Sequence, residues 1–405
     1  MSSFLLTKSH RLTIPRAARV ERLRPSATVG ITTRAMALEA DGHDVIRLSV
    51  GEPDFDTPDH IKQAAIDAIN SGATKYTALD GTLELKQAIQ NKFERENGLS
   101  YALDQILVSN GAKQSCFNLC LALLDSGDEA IIPAPYWVSY PEMVRIAEAA
   151  PVLAQTASQN GFLMQPEQLA AAITPETRLV ILNSPGNPTG AVYPRESLVA
   201  LGEVLREHPR IVVLSDEIYE HIQWGVPSYT SFAAANPELH DRTVTINGMS
   251  KVYAMSGWRV GYAAGPKELI RAMAAIQSQS TTNACSISQA AAVAALNGDQ
   301  ASVEAMRTEF KARHDIVQPL LDAIEGVNCP PGDGAFYLFV QIKDVLESKG
   351  FSDDVGFCEA LLEKTGVALV PGTAFGAPGY VRISFAASLE TLHDAIERIS
   401  RFIRN

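Results

Sequence analysis

One lysine and one arginine stand among small and glycine residues in Asn247-Gly-Met-Ser-Lys251-Val-Tyr-Ala-Met-Ser-Gly257-Trp-Arg259-Val-Gly261. Lys251 follows a strand-like run, Thr243–Asn247, and precedes another, Val260–Ala264, so its amine is expected near the protein interior. An unpaired ammonium is costly there, and such a lysine tends to lose its proton. A neutral amine in a pocket can attack a carbonyl and form a Schiff base, the means by which a protein holds an aldehyde cofactor. A lone Ser-Lys pair is more often a surface turn. The weight therefore falls on the residues that accompany it.

Three other apolar runs end in residues of the same character. After Ile106–Ser109 comes Asn110-Gly111-Ala112-Lys113-Gln114, a glycine turn opening a helix whose free N–H groups and dipole favour a phosphate, although a plain strand-to-helix turn reads alike. After Leu179–Leu182 comes Asn183-Ser-Pro-Gly-Asn187-Pro-Thr-Gly190, dense in turn formers, with Asn187 set to present an amide to a ligand. After Ile211–Leu214 comes Ser215-Asp216-Glu217-Ile218-Tyr219, whose first carboxylate is either a helix cap or a ligand group. Lys251 downstream favours the ligand role. These residue types match what pyridoxal phosphate (PLP) requires. Its pyridine nitrogen must stay protonated to withdraw electrons, and a buried Asp216 would hold that proton with a charge-assisted bond of roughly 1.5–3 kcal/mol. Tyr219 and Asn187 could donate to the ring hydroxyl oxygen, and Arg259 offers a planar fork to the phosphate. Trp137, in Pro135-Tyr-Trp137-Val-Ser-Tyr140, could stack on the ring for about 0.5–1.5 kcal/mol, or be an ordinary core aromatic.

Composition narrows the class. The 405 residues exceed one ordinary core and suggest two domains, and 46% apolar with 20% charged residues is a soluble globular balance. A net charge of −12 argues against nucleic acid or an anionic membrane as the main partner, so any bound anion must be held by local donors. Five cysteines form no C-x-x-C pair and read as reduced thiols in a cytosol-like compartment, with Cys116 and Cys120 sharing a helix face in the core. The eight histidines make no H-x-x-x-H or H-E-x-x-H pattern, and no catalytic metal is expected. No apolar run approaches the roughly 18 residues of a membrane span. Lys8, Arg11, Arg16, Arg19, Arg22 and Arg24 face a single early acid, Glu21, which weakly resembles an organellar transit segment. A loose basic arm lying on a partner subunit of a cytoplasmic protein is the preferred reading.

The elements that must position these groups follow from periodicity. Thr57-Pro58 is expected to start a helix running to about Asn70, with Pro58 at its first position, and a second helix covers about Thr82 to Glu96. Apolar runs at Gln105–Ser109, Glu129–Ile132, Leu179–Leu182, Ile211–Leu214, Val244–Ile246 and Val260–Ala264 then alternate with helical segments, among them Ala112–Leu124, Tyr140–Ala149 and Arg195–Glu207. That alternation predicts an α/β fold with a mainly parallel sheet flanked by helices, and ligands at the carboxyl ends of its strands. Beyond about Ala301 a long helix, runs at Ala335–Val340, Val367–Val370 and Val381–Phe385, and helices over Asp353–Lys364 and Leu389–Phe402 predict a smaller α+β module.

Taken together, the chain resembles the class I aminotransferases, the fold type I PLP enzymes, from about Arg19 to its end. The resemblance is carried by Ser49-Val-Gly51-Glu-Pro53-Asp-Phe55, Lys75-Tyr76, Asn183 through Gly190, Asp216-Glu-Ile-Tyr219, Ser250-Lys251 through Gly261, and Val381-Arg382-Ile-Ser. It implies a seven-stranded-type sheet in a large domain over 58–305 and a small domain from 20–57 with 306–405, preceded by an arm over 1–19. It implies that Lys251 carries PLP and moves the substrate proton, that Asp216 pairs the pyridinium, that Tyr219 and Asn187 face the ring oxygen, and that Trp137 stacks. Arg259 and the Gly111-Ala112-Lys113 backbone would hold the phosphate, with Tyr76 reaching in from the partner of an obligate symmetric dimer. Arg382 would clamp the substrate α-carboxylate, helped by the backbone at Gly51, and Trp137 and Asn187 would also touch substrate. Where many relatives have a hydroxyl residue three before the lysine, this chain has Gly248, which puts one phosphate bond in doubt.

The stretches around Gly111–Gln114 and Tyr136–Tyr140 are similar to the prokaryotic aspartate aminotransferase branch, in which a lysine at the position of Lys113 can meet a side-chain carboxylate. A solvated Lys113 is the alternative, disfavoured because a cation beside a helix N-terminus calls for an anion. Arg24 occupies a place where relatives that accept prephenate carry a cation. The expected reaction is aspartate with 2-oxoglutarate giving oxaloacetate and glutamate by a ping-pong course. Competing readings are an aminotransferase for aromatic or other amino acids, a PLP-dependent C–S lyase, the ligand-sensing part of a transcription regulator, for which the short arm leaves no room for a DNA-binding module, and a non-PLP protein in which Lys251 is structural.

Overall fold

The computed structural model describes residues 15–23, 27–226 and 228–405. Arg24, Lys8 and Arg11, which entered the reading above, lie outside them. Among the described residues the strands are β1 (Ile46–Arg47), β2 (Ile106–Ser109), β3 (Glu129–Ala134), β4 (Ala150–Gln155), β5 (Thr177–Asn183), β6 (Val212–Asp216), β7 (Thr243–Gly248), β8 (Gly261–Ala264), β9 (Tyr337–Gln341), β10 (Val367–Ala368), β11 (Val370–Pro371) and β12 (Tyr380–Ser384).

Seven of these form one sheet in the order β2-β8-β7-β6-β5-β3-β4. The pairings from β7 across to β4 are parallel, and β8 runs antiparallel to both its neighbours. The strands read as unbroken apolar runs because helices cover both faces. Along β5 the successive side chains alternate sides. Leu179 and Ile181 pack with Leu119, Val144 and Met273, whereas Val180 and Leu182 pack with Leu198, Leu201 and Leu205. Each side chain so buried contributes about 1.5–3 kcal/mol.

Strand direction gathers the chemistry at one edge. The carboxyl ends of β2, β5, β6 and β7 carry Ser109, Asn183, Asp216 and Gly248, with Asn183 opposite Asp216 in the ladder. Because β8 is antiparallel, its start lies beside its neighbours' ends: Gly261 pairs with Ser109 on one side and with Gly248 on the other. Arg259, just before β8, therefore arrives at the same edge as Lys251, just after β7.

A second core joins the two ends of the chain. Ile31, Ile46 and Leu48 pack with Leu338, Val340 and Ile383 and with Leu392, Ile396 and Ile399. The framework is the antiparallel sheet β11-β12-β9 and the parallel pair β1-β10. The last helix, Leu389–Arg404, is capped by the Ser388 hydroxyl and buries Leu392, Ala395, Ile396, Ile399 and Ile403 at helical spacing.

Three details depart from expectation, the first being β1, which at two residues is too short to give a pattern and was not anticipated. β4, Ala-Pro-Val-Leu-Ala-Gln, was not anticipated, since alanines and Pro151 give a weak strand pattern; it is tolerated at the sheet edge, where one side needs no ladder donors. The helix expected from Pro58 begins at Asp59, with Pro58 extended before it. Thr57 does not cap it: its hydroxyl donates to the Ala254 carbonyl at 2.7 Å and accepts from Trp258 Nε1 at 3.0 Å, bracing the turn that follows Lys251. Among the described residues no helix is long and apolar enough to cross a membrane.

Candidate active site

Lys251 is half-buried and donates through Nζ to the Gly51 carbonyl. The rings of Tyr219 and Phe336 lie 6.0 and 5.9 Å from its nitrogen. Desolvation pushes its pKa down to about 8; Glu52 and Asp216 oppose that shift, and Arg382 and Arg259 reinforce it. The amine is thus poised to exchange a proton near neutrality, as a general base must.

Asp216, at the end of β6, is 4% exposed. Its Oδ2 accepts from the Tyr140 hydroxyl at 2.6 Å and its Oδ1 from the Ile218 N–H at 3.2 Å. Burial nevertheless raises the carboxyl to about 6, outweighing both bonds and the charge of Lys251. Asn183 braces the same turn, its amide donating to the Asp216 carbonyl at 3.0 Å and its oxygen accepting from the Asn187 N–H at 2.9 Å. Tyr140 was read as the opening of a helix and as the end of the Tyr136–Tyr140 stretch, with no role of its own; no local pattern marks it as the carboxylate's partner.

Arg382 of β12 is 5% exposed. It donates to Asn187 Oδ1 at 3.1 Å and to the Ser49 carbonyl at 2.6 Å, and its guanidinium carbon lies 4.5 Å from the Tyr337 ring centroid. Its Nε and the nearby Ser49 Oγ have no hydrogen-bond partner. Tyr337 is the second residue that sequence reasoning missed. Its hydroxyl is 2.8 Å from that of Tyr219, and a Cβ on Gly51 would come 2.9 Å from it, so only glycine lets the 49–55 segment lie this close. Gly51, Asn187, Tyr219, Lys251 and Arg382 are thereby gathered in one place.

The remaining members meet where β2 ends and β8 begins. Gly111, at φ +88, precedes the helix Ala112–Leu123, whose first N–H groups have no partner within the helix. Arg259 lies against it: a Cβ on Gly111 would collide with the guanidinium, and one on Gly261 with the Ala112 nitrogen. Arg259 itself takes the left-handed conformation, φ 57, held by a bond to the Ser256 carbonyl at 2.8 Å. A non-glycine residue there is strained, and such strain accumulates at functional sites. Lys113 places its ammonium 4.8 Å over the Trp137 ring, and its pKa is lowered by desolvation and by Arg259. Trp137 also meets Tyr140 edge-on at 5.2 Å, and it lines one cavity with Pro135, Phe162, Asn183 and Asn187. Gly248 has no room for a side chain, since a Cβ would lie 2.9 Å from Gly261 Cα and 3.0 Å from the Val260 carbonyl. Tyr76 is 90% exposed. The assembled groups can hold one anion at Gly111 and Arg259 and a second at Arg382, with a proton acceptor and a buried acid between.

The aminotransferase class I and II family model matches residues 43–399. The aspartate/prephenate aminotransferase of Nitrosomonas europaea is 50% identical over 391 residues, covering 95% of this chain and 98% of that protein. The aspartate aminotransferase of Geobacillus stearothermophilus is 51% identical over 387 residues, covering 96% of this chain and 98% of its own. Among solved structures, the aspartate aminotransferase of Rhizobium meliloti superposes with a TM-score of 0.92 at 49% identity, over 97% of this chain and 99% of that one. That of Thermus thermophilus, solved with maleate, superposes with a TM-score of 0.90 at 45% identity, over 96% of this chain and 100% of that one.

Proposed function

The chain belongs to the class I and II aminotransferases, and from that premise we propose that it moves the amino group of aspartate to 2-oxoglutarate with PLP held on Lys251. The observation that carries this reading is a half-buried amine with a pKa near 8, bonded to the Gly51 carbonyl and electrostatically coupled to a sealed carboxyl, Asp216. The residues fit the cofactor: Gly111 and Gly261 let Arg259 and the start of the Ala112 helix come together without the collision a Cβ would cause, and a buried arginine carries an unmatched Nε.

When bound, PLP supplies an electron-withdrawing ring that makes the substrate's Cα–H acidic. Arg259 and the N–H groups of Ala112 and Lys113 would grip its phosphate, and Asp216 would hold the proton of its ring nitrogen. Tyr219 and the Asn187 amide would donate to its ring oxygen, while Trp137 covers a face. Arg382 would take the substrate α-carboxylate on its free donor edge. Lys251 Nζ would then accept the proton from Cα and return it, as a general base and acid. Lys113 would meet the second carboxylate, a role supported by its place beside Arg259, where a further cation is unfavourable without an anion. The maleate bound in the Thermus structure is itself a dicarboxylate.

The division into an arm, a PLP-binding part over 58–305 and a smaller part from 20–57 and 306–405 belongs to the same proposal. So does a symmetric dimer with Tyr76 serving the neighbouring site. The support is an exposed tyrosine flanked in sequence by exposed Ile66, Ile69 and Leu83. The five free cysteines support a cytoplasmic setting. Use of prephenate is supported by the names of relatives such as that from Nitrosomonas.

A half-reaction panel tests the whole reading. The purified protein is mixed with single amino acids, the cofactor absorbance is followed, and borohydride is added to a parallel sample. Aspartate and glutamate should convert the spectrum fastest, and Lys113→Ala should cost the dicarboxylates roughly 10-fold or more relative to alanine. A protein without a borohydride-sensitive band contradicts the assignment to PLP. No turnover of prephenate where oxaloacetate reacts removes that extension.

A further inference from the structure

A second group of charges lies behind the site. Glu220 is 4% exposed and Lys92 1% exposed, and Lys92 Nζ donates to Glu220 Oε1. The same ammonium donates to Asn97 Oδ1 at 2.7 Å, and Asn97 in turn donates to Glu220 Oε2 at 2.8 Å. Asn247 donates to Glu220 Oε1 at 2.6 Å, while its own oxygen accepts the Gly248 N–H at 2.7 Å. His221 Nε2 meets Glu96 Oε2 at 2.9 Å, and Glu96, Glu220 and His221 bring ligand atoms within 4.8 Å of one another. A metal could bind such a set, but the Lys92 ammonium already stands among these oxygens and supplies the cation from the chain itself.

The group sits where two site-bearing segments meet. The turn after β6 is closed by Glu220 N–H to the Glu217 carbonyl at 3.0 Å and by Ile222 N–H to the Tyr219 carbonyl at 2.8 Å. Its side chains split between two destinations. Asp216 bonds Tyr140 and Tyr219 meets Tyr337, whereas Glu217 accepts from Ser215, Ser231 and the Phe232 N–H, and Glu220 is held by Lys92. Asn247 and Gly248 end β7, three residues before Lys251. Lys92 thus reaches, through one carboxylate and one amide, both the segment carrying Asp216 and Tyr219 and the segment carrying Lys251.

We propose that Lys92 is a positioning residue: its ammonium, acting through Glu220 and Asn247, sets the Tyr219 turn against the β7 end that leads into Lys251. Nothing here touches substrate, and the inference rests on the reading of Lys251 as the PLP lysine. A looser turn would weaken donation from Tyr219 to the ring oxygen. With PLP bound at Lys251, that donation would favour the deprotonated form of the bound cofactor, so its loss would raise the pH midpoint of the cofactor absorbance.

The test compares the wild-type holoenzyme with Lys92→Met combined with Glu220→Gln, which removes both charges of the pair, and with Asn247→Ala, which keeps the pair but cuts its link to Gly248. Three quantities are read: the pH midpoint of the cofactor absorbance, kcat and KM in the aspartate half-reaction, and the urea midpoint of unfolding. Both variants should raise the absorbance midpoint by about half a unit or more and lower kcat roughly 10- to 100-fold, with KM within about twofold of wild type. An unchanged absorbance midpoint and kcat in whichever variant folds overturns the proposal and leaves Lys92 a structural residue only. A wild type lacking the chromophore overturns the PLP reading and this inference with it; a normal wild type beside unaltered variants overturns this inference alone.

Discussion

Tyr140 donates its hydroxyl to Asp216 Oδ2 at 2.6 Å, with both side chains sealed from water. Burial raises the Asp216 carboxyl to about 6, and the tyrosine bond is the larger of the two hydrogen bonds that restrain it. Removing the bond in Tyr140→Phe lets burial act with less opposition, so the acid becomes neutral more readily and grips a pyridinium less well. A hydrogen bond to a charged group is worth about 1.5–3 kcal/mol, so PLP affinity should fall roughly 10- to 100-fold. Equilibrium titration of the cofactor checks this. A dissociation constant equal to wild type contradicts the coupling.

Lys251 gives a pH signature in the cofactor-free protein. Its folded pKa of about 8 lies below the usual 10.5, chiefly through desolvation. Between those values the unfolded chain holds more protons than the folded one, so stability rises with pH across that window and the penalty is greatest below it. At about 1.4 kcal/mol per unit the rise is at most about 3 kcal/mol. Urea unfolding at about pH 7.5 and about pH 10 should show this component in wild type and lose it in Lys251→Met. The same substitution should reduce transamination by at least roughly 10³-fold, since it removes the general base.

Arg382→Lys should not be tolerated as a conservative change. The guanidinium spans Asn187 and Ser49 while leaving Nε free, and one ammonium cannot reproduce that fork. We expect kcat/KM to fall roughly 10- to 100-fold for every amino acid alike, mainly through KM, because the α-carboxylate is common to all. A loss confined to dicarboxylic substrates would instead point to a side-chain role.

Gly248→Ser supplies the hydroxyl that the family resemblance led us to expect three residues before the lysine but should not create a phosphate contact. The new Cβ would meet Gly261 Cα and the Val260 carbonyl, both backbone and neither able to swing away. Overpacking of this kind costs about 1–3 kcal/mol. The expected outcome is a lower urea midpoint with PLP affinity no better than wild type; tighter cofactor binding at unchanged stability would refute it.

How much of this was legible beforehand follows from the range over which each signal acts. Lys251, Asp216, Asn187 and the Gly111 turn could be read from the chain because each is a polar or glycine residue within a few positions of the end of an apolar run. That local pattern reflects strands buried on both faces and ligands at their carboxyl ends. The order of strands along the chain likewise followed from alternation, apart from β1, only two residues long, and β4, whose alanines and Pro151 suit an edge and give no period. The partners of those residues could not be read. Tyr140 lies 76 positions from Asp216, Tyr337 lies 118 from Tyr219, and Arg382 lies 195 from Asn187. Lys92, the last residue of the helix Leu83–Lys92 and ordinary in sequence, becomes a buried cation only when the turn after β6 folds against it. The amino-acid sequence thus determined which groups could do chemistry and at which strand ends they stand, since burial pattern and turn preference are local. Their charge states and separations were decided by the tertiary structure, because desolvation and hydrogen bonding depend on what the fold brings alongside from distant parts of the chain.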